Sequence, residues 1–238
     1  MIQVNEVIRT FDGKEVLRNL HLNVERGTIY GLLGMNGAGK TTTFKLISGL
    51  LQPNAGTIRV DGEVIQAQNK NFLKEMGVLI ETPVFYEHLS ARENLEIHLA
   101  YMGCDSGMIE KSLQMAGLID TGKKPVSRFS LGMKQRLAIA RAISHSPKLL
   151  VLDEPVNGLD PMGIRQMREL FLSLVKDRDM TILISSHILS EIEHIADRVG
   201  VLVNGRIAKE VSMSEVKKTC PEGLEDYFFN IMSGGAKG

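Results

Sequence analysis

The chain has 238 residues, enough for one sizeable domain or for one domain carrying an insertion. With 43% hydrophobic and 24% charged residues it has the make-up of an ordinary soluble globular protein. Its 28 Lys plus Arg balance 28 Asp plus Glu, which leaves no net charge for a broad nucleic-acid or anionic-lipid footprint. The two cysteines, Cys104 and Cys220, are far apart and not in C-x-x-C spacing, which argues against a disulfide or zinc framework and fits a reducing compartment. The opening MIQVNEVIRTF has no basic segment followed by an apolar one, and no uncharged apolar run approaches the roughly 18 residues needed to span a bilayer. The expected setting is the cytoplasm.

In chain order, the first third reads as strands. Ile2 and Val4 alternate, as do Leu20, Leu22 and Val24, at the period of a half-buried strand. Thr28 to Leu33 is a continuous apolar run ending in glycine, as a fully buried strand would be. TIRV-DG-EVI, residues 57 to 65, predicts a hairpin whose Asp61-Gly62 turn is of type I′. The middle turns helical. Ala91 to Met102 and Met108 to Leu118 each carry an apolar stripe, and Ser130 to Ser144 is a run of good helix formers. Strands and helices then alternate: a strand over Lys148 to Leu152, a helix opened by Asp160-Pro161, a strand over Thr181 to Ser185 and a helix over Ile188 to Ala196. A second hairpin follows, Val199 to Val203 and Arg206 to Lys209 about Asn204-Gly205. The alternation predicts a mainly parallel sheet covered by helices, with residues 87 to 145 as a helical insertion. Residues 231–238, ending in SGGAKG, are expected to be a disordered tail.

Several motifs carry chemistry. GMNGAGKT, residues 34 to 41, fits the P-loop pattern G-x-x-x-x-G-K-[ST], between a predicted strand and an apolar helix. The pattern arises by accident in roughly 1% of chains of this length, before its placement is considered. Glycines there let backbone N–H groups converge on phosphate oxygens, Lys40 reaches the outer phosphates and Thr41 offers a hydroxyl to Mg²⁺. LLVLDEP, residues 149 to 155, delivers two adjacent acids to the C-terminal end of a buried strand, the edge where open α/β sheets bind ligands. A solvated strand end would explain one acid. Two acids behind a buried strand, in a chain with a P-loop, make Asp153 the metal-binding acid and Glu154 the general base.

FSLGMKQR, residues 129 to 136, places Ser130 at a helix N-cap with Gly132 one turn in. It reads as a second anion site or as a plain helix start. If it is an anion site, two chains meet around the nucleotide. His187 in ISSH follows another buried strand; a lone histidine is usually structural, but this one falls at the same sheet edge. In GVLIETPVFY, residues 77 to 86, Glu81 stands at the tip of an apolar strand. Acids at strand ends are ordinarily solvated. The neighbouring strand tips turn Glu81 toward the metal instead.

With these stretches in this order, essentially residues 1 to 230 resemble the ATP-binding subunit of ABC transporters. The resemblance implies a P-loop NTPase fold: a RecA-like parallel-sheet core, an N-terminal antiparallel β subdomain and an inserted helical subdomain. It makes Phe11 the aromatic that stacks on adenine, with Val16 beside it. It makes Gly34, Met35, Asn36, Gly37, Ala38, Gly39, Lys40, Thr41 and Thr42 the nucleotide-binding loop. FSLGM stands at the signature, commonly LSGGQ. Ser130 and Gly132 match, Leu131 replaces a glycine, and Met133 replaces the glutamine. Asp160 closes the D-loop and His187 is the H-loop.

Members form head-to-tail dimers around two ATP molecules, each held with Mg²⁺ between one chain's Walker motifs and the other's signature. They pass the motion to a membrane permease. Glu81 falls where a glutamine is usual. Together with FSLGMKQR and LEDYFFNIM it resembles the bacitracin and lantibiotic-immunity exporters. The implied protein is a peripheral ATPase at the cytoplasmic face of a bacterial membrane, with Thr41, Glu81 and Asp153 toward Mg²⁺ and no nucleic-acid partner. The segment from Pro83 to Leu89, exposed and partly aromatic through Phe85 and Tyr86, is the expected permease contact. Three rival readings remain: export of another small molecule or a lipid, a soluble ABC ATPase acting elsewhere, and a regulatory subunit that does not hydrolyse ATP. Glu154 argues against the last.

Overall fold

The computed structural model describes every residue except 67–70, 221–222 and 233–238. Two sheets divide the strands. The first is antiparallel and four-stranded, in the order β2-β1-β4-β5, from β1 (Ile2–Phe11), β2 (Lys14–Val24), β4 (Ala55–Val60) and β5 (Glu63–Val64). Its hairpins turn where expected. Asp61 and Gly62 have φ of 53° and 85°, as a type I′ turn requires, and Asp12 and Gly13 join β1 to β2 in the same way, with φ of 47° and 79°. The second sheet is six-stranded, in the order β10-β9-β3-β8-β7-β6. In it β3 (Ile29–Leu33), β6 (Met76–Leu79), β7 (Leu149–Asp153), β8 (Thr181–Ser185) and β9 (Arg198–Val203) run parallel, and β10 (Arg206–Ser212) returns antiparallel to β9.

β3, β7 and β8 are buried at every position, because helices or the other sheet cover both faces. Their apolar side chains each contribute about 1.5–3 kcal/mol by leaving water. Parallel pairing has a functional consequence: the chain leaves β3, β6, β7 and β8 at one edge. Gly34, Glu81, Glu154 and His187, distant in sequence, are thereby gathered there.

The helices begin where local chemistry allows. In α2 (Ala91–Met102), Ser90 and Glu93 form a reciprocal capping box, and Gly103 ends the helix at φ 65°. Ser130 caps α4 (Leu131–Ile143), and Asp160, followed by proline at the first turn, caps α5 (Pro161–Arg178). Helices α2, α3 (Ile109–Met115) and α4 bury Leu95, Leu99, Ile109, Leu113 and Leu137 in a cluster of their own. The opposite side of α4 packs on the parallel sheet through Ala138, Ala142 and Ile143. The approach is close at Gly77. A Cβ there would lie 2.0 Å from the Ala142 carbonyl oxygen, so only glycine lets α4 settle on β6.

Helices α7 (Met213–Thr219) and α8 (Leu224–Met232) complete the fold beside α6 (Leu189–Ile195). Residues 231 and 232, assigned from the sequence to the tail, belong to α8. Leu224, Phe228 and Ile231 keep a helical period and pack on the core, so the chain has a reason to stay folded there. The SGGAKG segment lies outside the described residues. The Pro83 to Leu89 stretch, expected to be exposed, is so only in part. Val84 (82% exposed) and Tyr86 do face outward, but Phe85 is half-buried, with the Arg141 guanidinium 4.9 Å from its ring centre. Arg141 also donates to the Val84 carbonyl at 3.0 Å, and Asn94 bonds both the N–H and C=O of Tyr86. The segment is thereby fastened to the helical layer. Beside it, burial with help from His145 and Arg141 holds the His98 imidazole down to about 4.

Candidate nucleotide site

The loop from Gly34 to Gly39 joins β3 to α1 (Lys40–Ile47). Gly39 is the N-cap at φ 112°, where a Cβ would fall 2.7 Å from Leu17 of β2; a side chain there would be both strained and obstructed. No side chain caps α1, so the free N–H groups of its first turn are left for a ligand. Lys40 is 8% exposed and spans the loop, donating to the Gly34 carbonyl at 2.7 Å and to that of Met35 at 3.4 Å. Val16, Met35, Asn36, Gly37, Gly39, Lys40, Thr41, Thr42, Asp153 and Glu154 line one cavity of about 370 Å³. It is concave, rich in N–H groups and cationic at its floor, and it suits a polyphosphate. Ala38 closes the loop's own turn, donating its N–H to the Met35 carbonyl at 3.1 Å.

Asp153 is 8% exposed, and both its oxygens are engaged. Oδ2 accepts from the Thr41 hydroxyl at 2.6 Å and Oδ1 from the Ser185 hydroxyl at 2.5 Å. Ser185 also accepts from the Glu154 N–H at 3.0 Å. The sequence reading missed this serine. Its signal is a polar residue closing the otherwise apolar strand TILIS, opposite Asp153 in the parallel register. The donor set is all oxygen, which fits a hard cation such as Mg²⁺. Among the described residues no three or more His, Cys, Asp or Glu gather into a cage.

Glu154 follows β7 at φ 50°, a left-handed conformation uncommon outside glycine. The turn brings its Oε2 to His187, 2.6 Å from Nδ1 and 3.1 Å from the backbone N–H. Because the carboxylate accepts, the facing ring nitrogen carries the proton. Gln135 of α4 donates to the Pro155 carbonyl at 2.9 Å and fixes the turn from behind.

Glu81, also left-handed at φ 61°, reaches a cleft of about 670 Å³ that Thr41, Asp153, Glu154, Leu131 and Gly158 share. Its carboxylate is not on Thr41 or Asp153. It lies 2.5 Å from the Lys45 ammonium and is 62% exposed. Ser130 accepts from the Met133 N–H at 3.2 Å, and Gly132 lies against the loop before α5, where an added Cβ would be 3.4 Å from Leu159. Asp160 accepts from the Gly163 N–H at 2.8 Å. The two stretches, expected as the signature and the D-loop, therefore adjoin within one chain. Phe11 stands at the tip of the β1–β2 hairpin, 37% exposed, with the Arg9 guanidinium 4.4 Å from its ring centre. Of the two residues expected at adenine, only Val16 lines the polyphosphate cavity.

Residues 17–157 match the family described as ABC transporter. The chain is 49% identical over 226 residues to YcbN of Bacillus subtilis (strain 168), an uncharacterized ABC transporter ATP-binding protein, covering 94% of this chain and 74% of that one. It is 46% identical, with the same coverage, to the bacitracin transport ATP-binding protein BcrA of Bacillus licheniformis. A solved ATP-binding subunit of an ABC transporter superposes with a TM-score of 0.87 at 29% identity, over 98% of this chain and 99% of that one. The fold is thus that of the P-loop ATPases of these transporters, with a parallel core, an antiparallel sheet and added helices. The chain belongs to the ABC transporter family, as an ATP-binding and ATP-hydrolysing subunit.

Proposed function

We infer that this subunit powers the export of a peptide antibiotic of the bacitracin or lantibiotic type and so gives its host immunity or resistance. The observation that carries this reading is the 46% identity to a bacitracin transport ATP-binding protein. Residues 1 to 232, through the end of α8, form one ATP-binding domain, with the helices of residues 87 to 145 as its inserted subdomain. Two copies associate head to tail, so that Ser130, Gly132 and Met133 of one face the nucleotide of the other, with Asp160 at the junction. A permease in the membrane is the second partner, and Val84 and Tyr86 are its contact. Among the described residues no helix is long and apolar enough to cross a membrane.

In the reaction, Gly37, Gly39 and the first turn of α1 hold the phosphates, and Lys40 gives up its loop carbonyls to meet the outer ones. Thr41 and Asp153 would hold Mg²⁺, with Glu81 within the same cleft, and the bound ion would supply neutralisation of phosphate charge. Glu154 takes the proton of the attacking water, and His187 orients that carboxylate through the 2.6 Å bond. The partner's signature helix adds its N-terminal partial charge to the transferring phosphoryl group.

The load is tested in the host. A strain lacking this chain becomes more sensitive to bacitracin or to a lanthionine peptide, and the wild-type chain restores tolerance where Glu154→Gln does not. Unchanged sensitivity to both, with ATP hydrolysis intact, would remove the peptide and favour a lipid or another small molecule. The adenine contact is tested separately. Phe11→Ala weakens ATP binding by about 5- to 10-fold, the lower part of the range for base stacking, since Arg9 already occupies one face of the ring. Inorganic triphosphate, having no base, binds as before. Equal losses for the two ligands would take Phe11 off the adenine.

A further inference from the structure

We propose that Lys45 is a positioning residue that competes with the nucleotide-bound Mg²⁺ for the carboxylate of Glu81. This rests on the reading of Glu81 as a residue that turns to the metal. Thr41 and Lys45 are four residues apart on α1 and share one face of it, so hydroxyl and ammonium stand one helical turn from each other. Glu81 approaches that face from the end of β6. Its carboxylate is on Lys45 at 2.5 Å, within the cleft that Thr41 and Asp153 also line. Thr41 is meanwhile turned to Asp153 at 2.6 Å. The carboxylate thus has two cationic destinations one turn apart. Its single charge serves either fully only by leaving the other.

An amide at position 81 would feel the choice weakly, since it carries no net charge. The carboxylate makes the cation at position 45 matter. Glu81 is also the first residue of the stretch that continues to Val84 and Tyr86, which Arg141 and Asn94 fasten to the helical layer. Release from Lys45 therefore frees the nucleotide-side end of the segment whose other end is held by the helices. Lys45 sets how much metal binding is needed for that release.

An exposed ion pair is weak, so the effect is modest. The affinity of the full chain for a fluorescent, non-hydrolysable ATP analogue is measured in EDTA and in saturating Mg²⁺. The ratio of the two reports how far the metal strengthens binding. Wild type, Lys45→Gln, Glu81→Gln and the double variant are compared, with Lys45→Arg as the conservative control. Removing the competing cation raises the ratio about two- to fivefold when Glu81 is present and leaves it unchanged when residue 81 is Gln. Lys45→Arg keeps the wild-type ratio.

An equal rise in both backgrounds would mean that Lys45 merely repels the metal, and would overturn the competition while leaving the ATPase reading intact. No rise in either background would overturn it as well. A wild-type ratio in Glu81→Gln alone would instead remove Glu81 from the metal, and this inference with it.

Discussion

Glu154→Gln keeps ATP bound and lowers turnover by about 100-fold or more, the contribution of a general base. The substitution is close to isosteric. The amide oxygen still accepts from the His187 N–H and from Nδ1, the two bonds that now hold Oε2 at 3.1 Å and 2.6 Å. What disappears is basicity, since an amide does not take a proton from water near neutral pH. The left-handed turn at residue 154 is set by the backbone and by the Ser185 bond to the Glu154 N–H, neither of which needs the carboxylate. The variant also removes one negative charge from a cleft that keeps Asp153 and Glu81, so ATP is held at least as well. With hydrolysis blocked and binding intact, the head-to-tail dimer accumulates. Gel filtration in ATP, read beside phosphate release, checks both halves. Turnover at the wild-type rate would move the general base to another residue, and a purely monomeric elution in ATP would remove the two-chain site.

The features legible in the sequence are those written locally. The P-loop, the acids closing LLVLDE and the caps at Ser130 and Asp160 depend on neighbours a few residues away, and the structure puts each at the end of its strand or helix. Glu81 could be placed beside the site only through the neighbouring strand tips, since an acid after a short apolar run is by itself ordinarily solvated. Its partner could not be read. Lys45 lies 36 residues earlier, and only the seating of α1 against β6 and β7 makes them an ion pair. Ser185 escaped for the same reason. It meets Asp153 through the register of two strands, across 32 residues of chain. Phe85 was read as exposed because a proline and polar residues surround it. Its burial comes from packing on the sheet core and on the helical cluster, and from Arg141 on a helix that begins 46 residues later, counting from Phe85 to Leu131. α7 and α8 went unassigned although each carries a local mark: Ser212 caps α7 with Glu215 three residues on, and Leu224, Phe228 and Ile231 keep a helical period.

Lys40→Ala has the other large effect, with ATP affinity falling by at least about 30-fold and turnover lost with it. Lys40 is buried, and its ammonium is satisfied by the Gly34 and Met35 carbonyls, so the free loop already holds the charge where the phosphates arrive. Truncation removes a charge-assisted contact to the outer phosphates, in a cavity whose other cationic help is partial charge from N–H groups. The loop itself survives. Gly34 is only half-buried, so water can reach the carbonyl that Lys40 leaves, and the turn is set by Gly37 and Gly39. Lys40→Met separates charge from packing, because it keeps most of the aliphatic stem. Methionine and alanine should lose ATP affinity alike if the charge is what matters. The same pair of variants, titrated with AMP, should bind it nearly as the wild type does, since Lys40 is placed for the outer phosphates and AMP has none. An equal loss for AMP and ATP would mean that Lys40 holds the loop together and not the nucleotide.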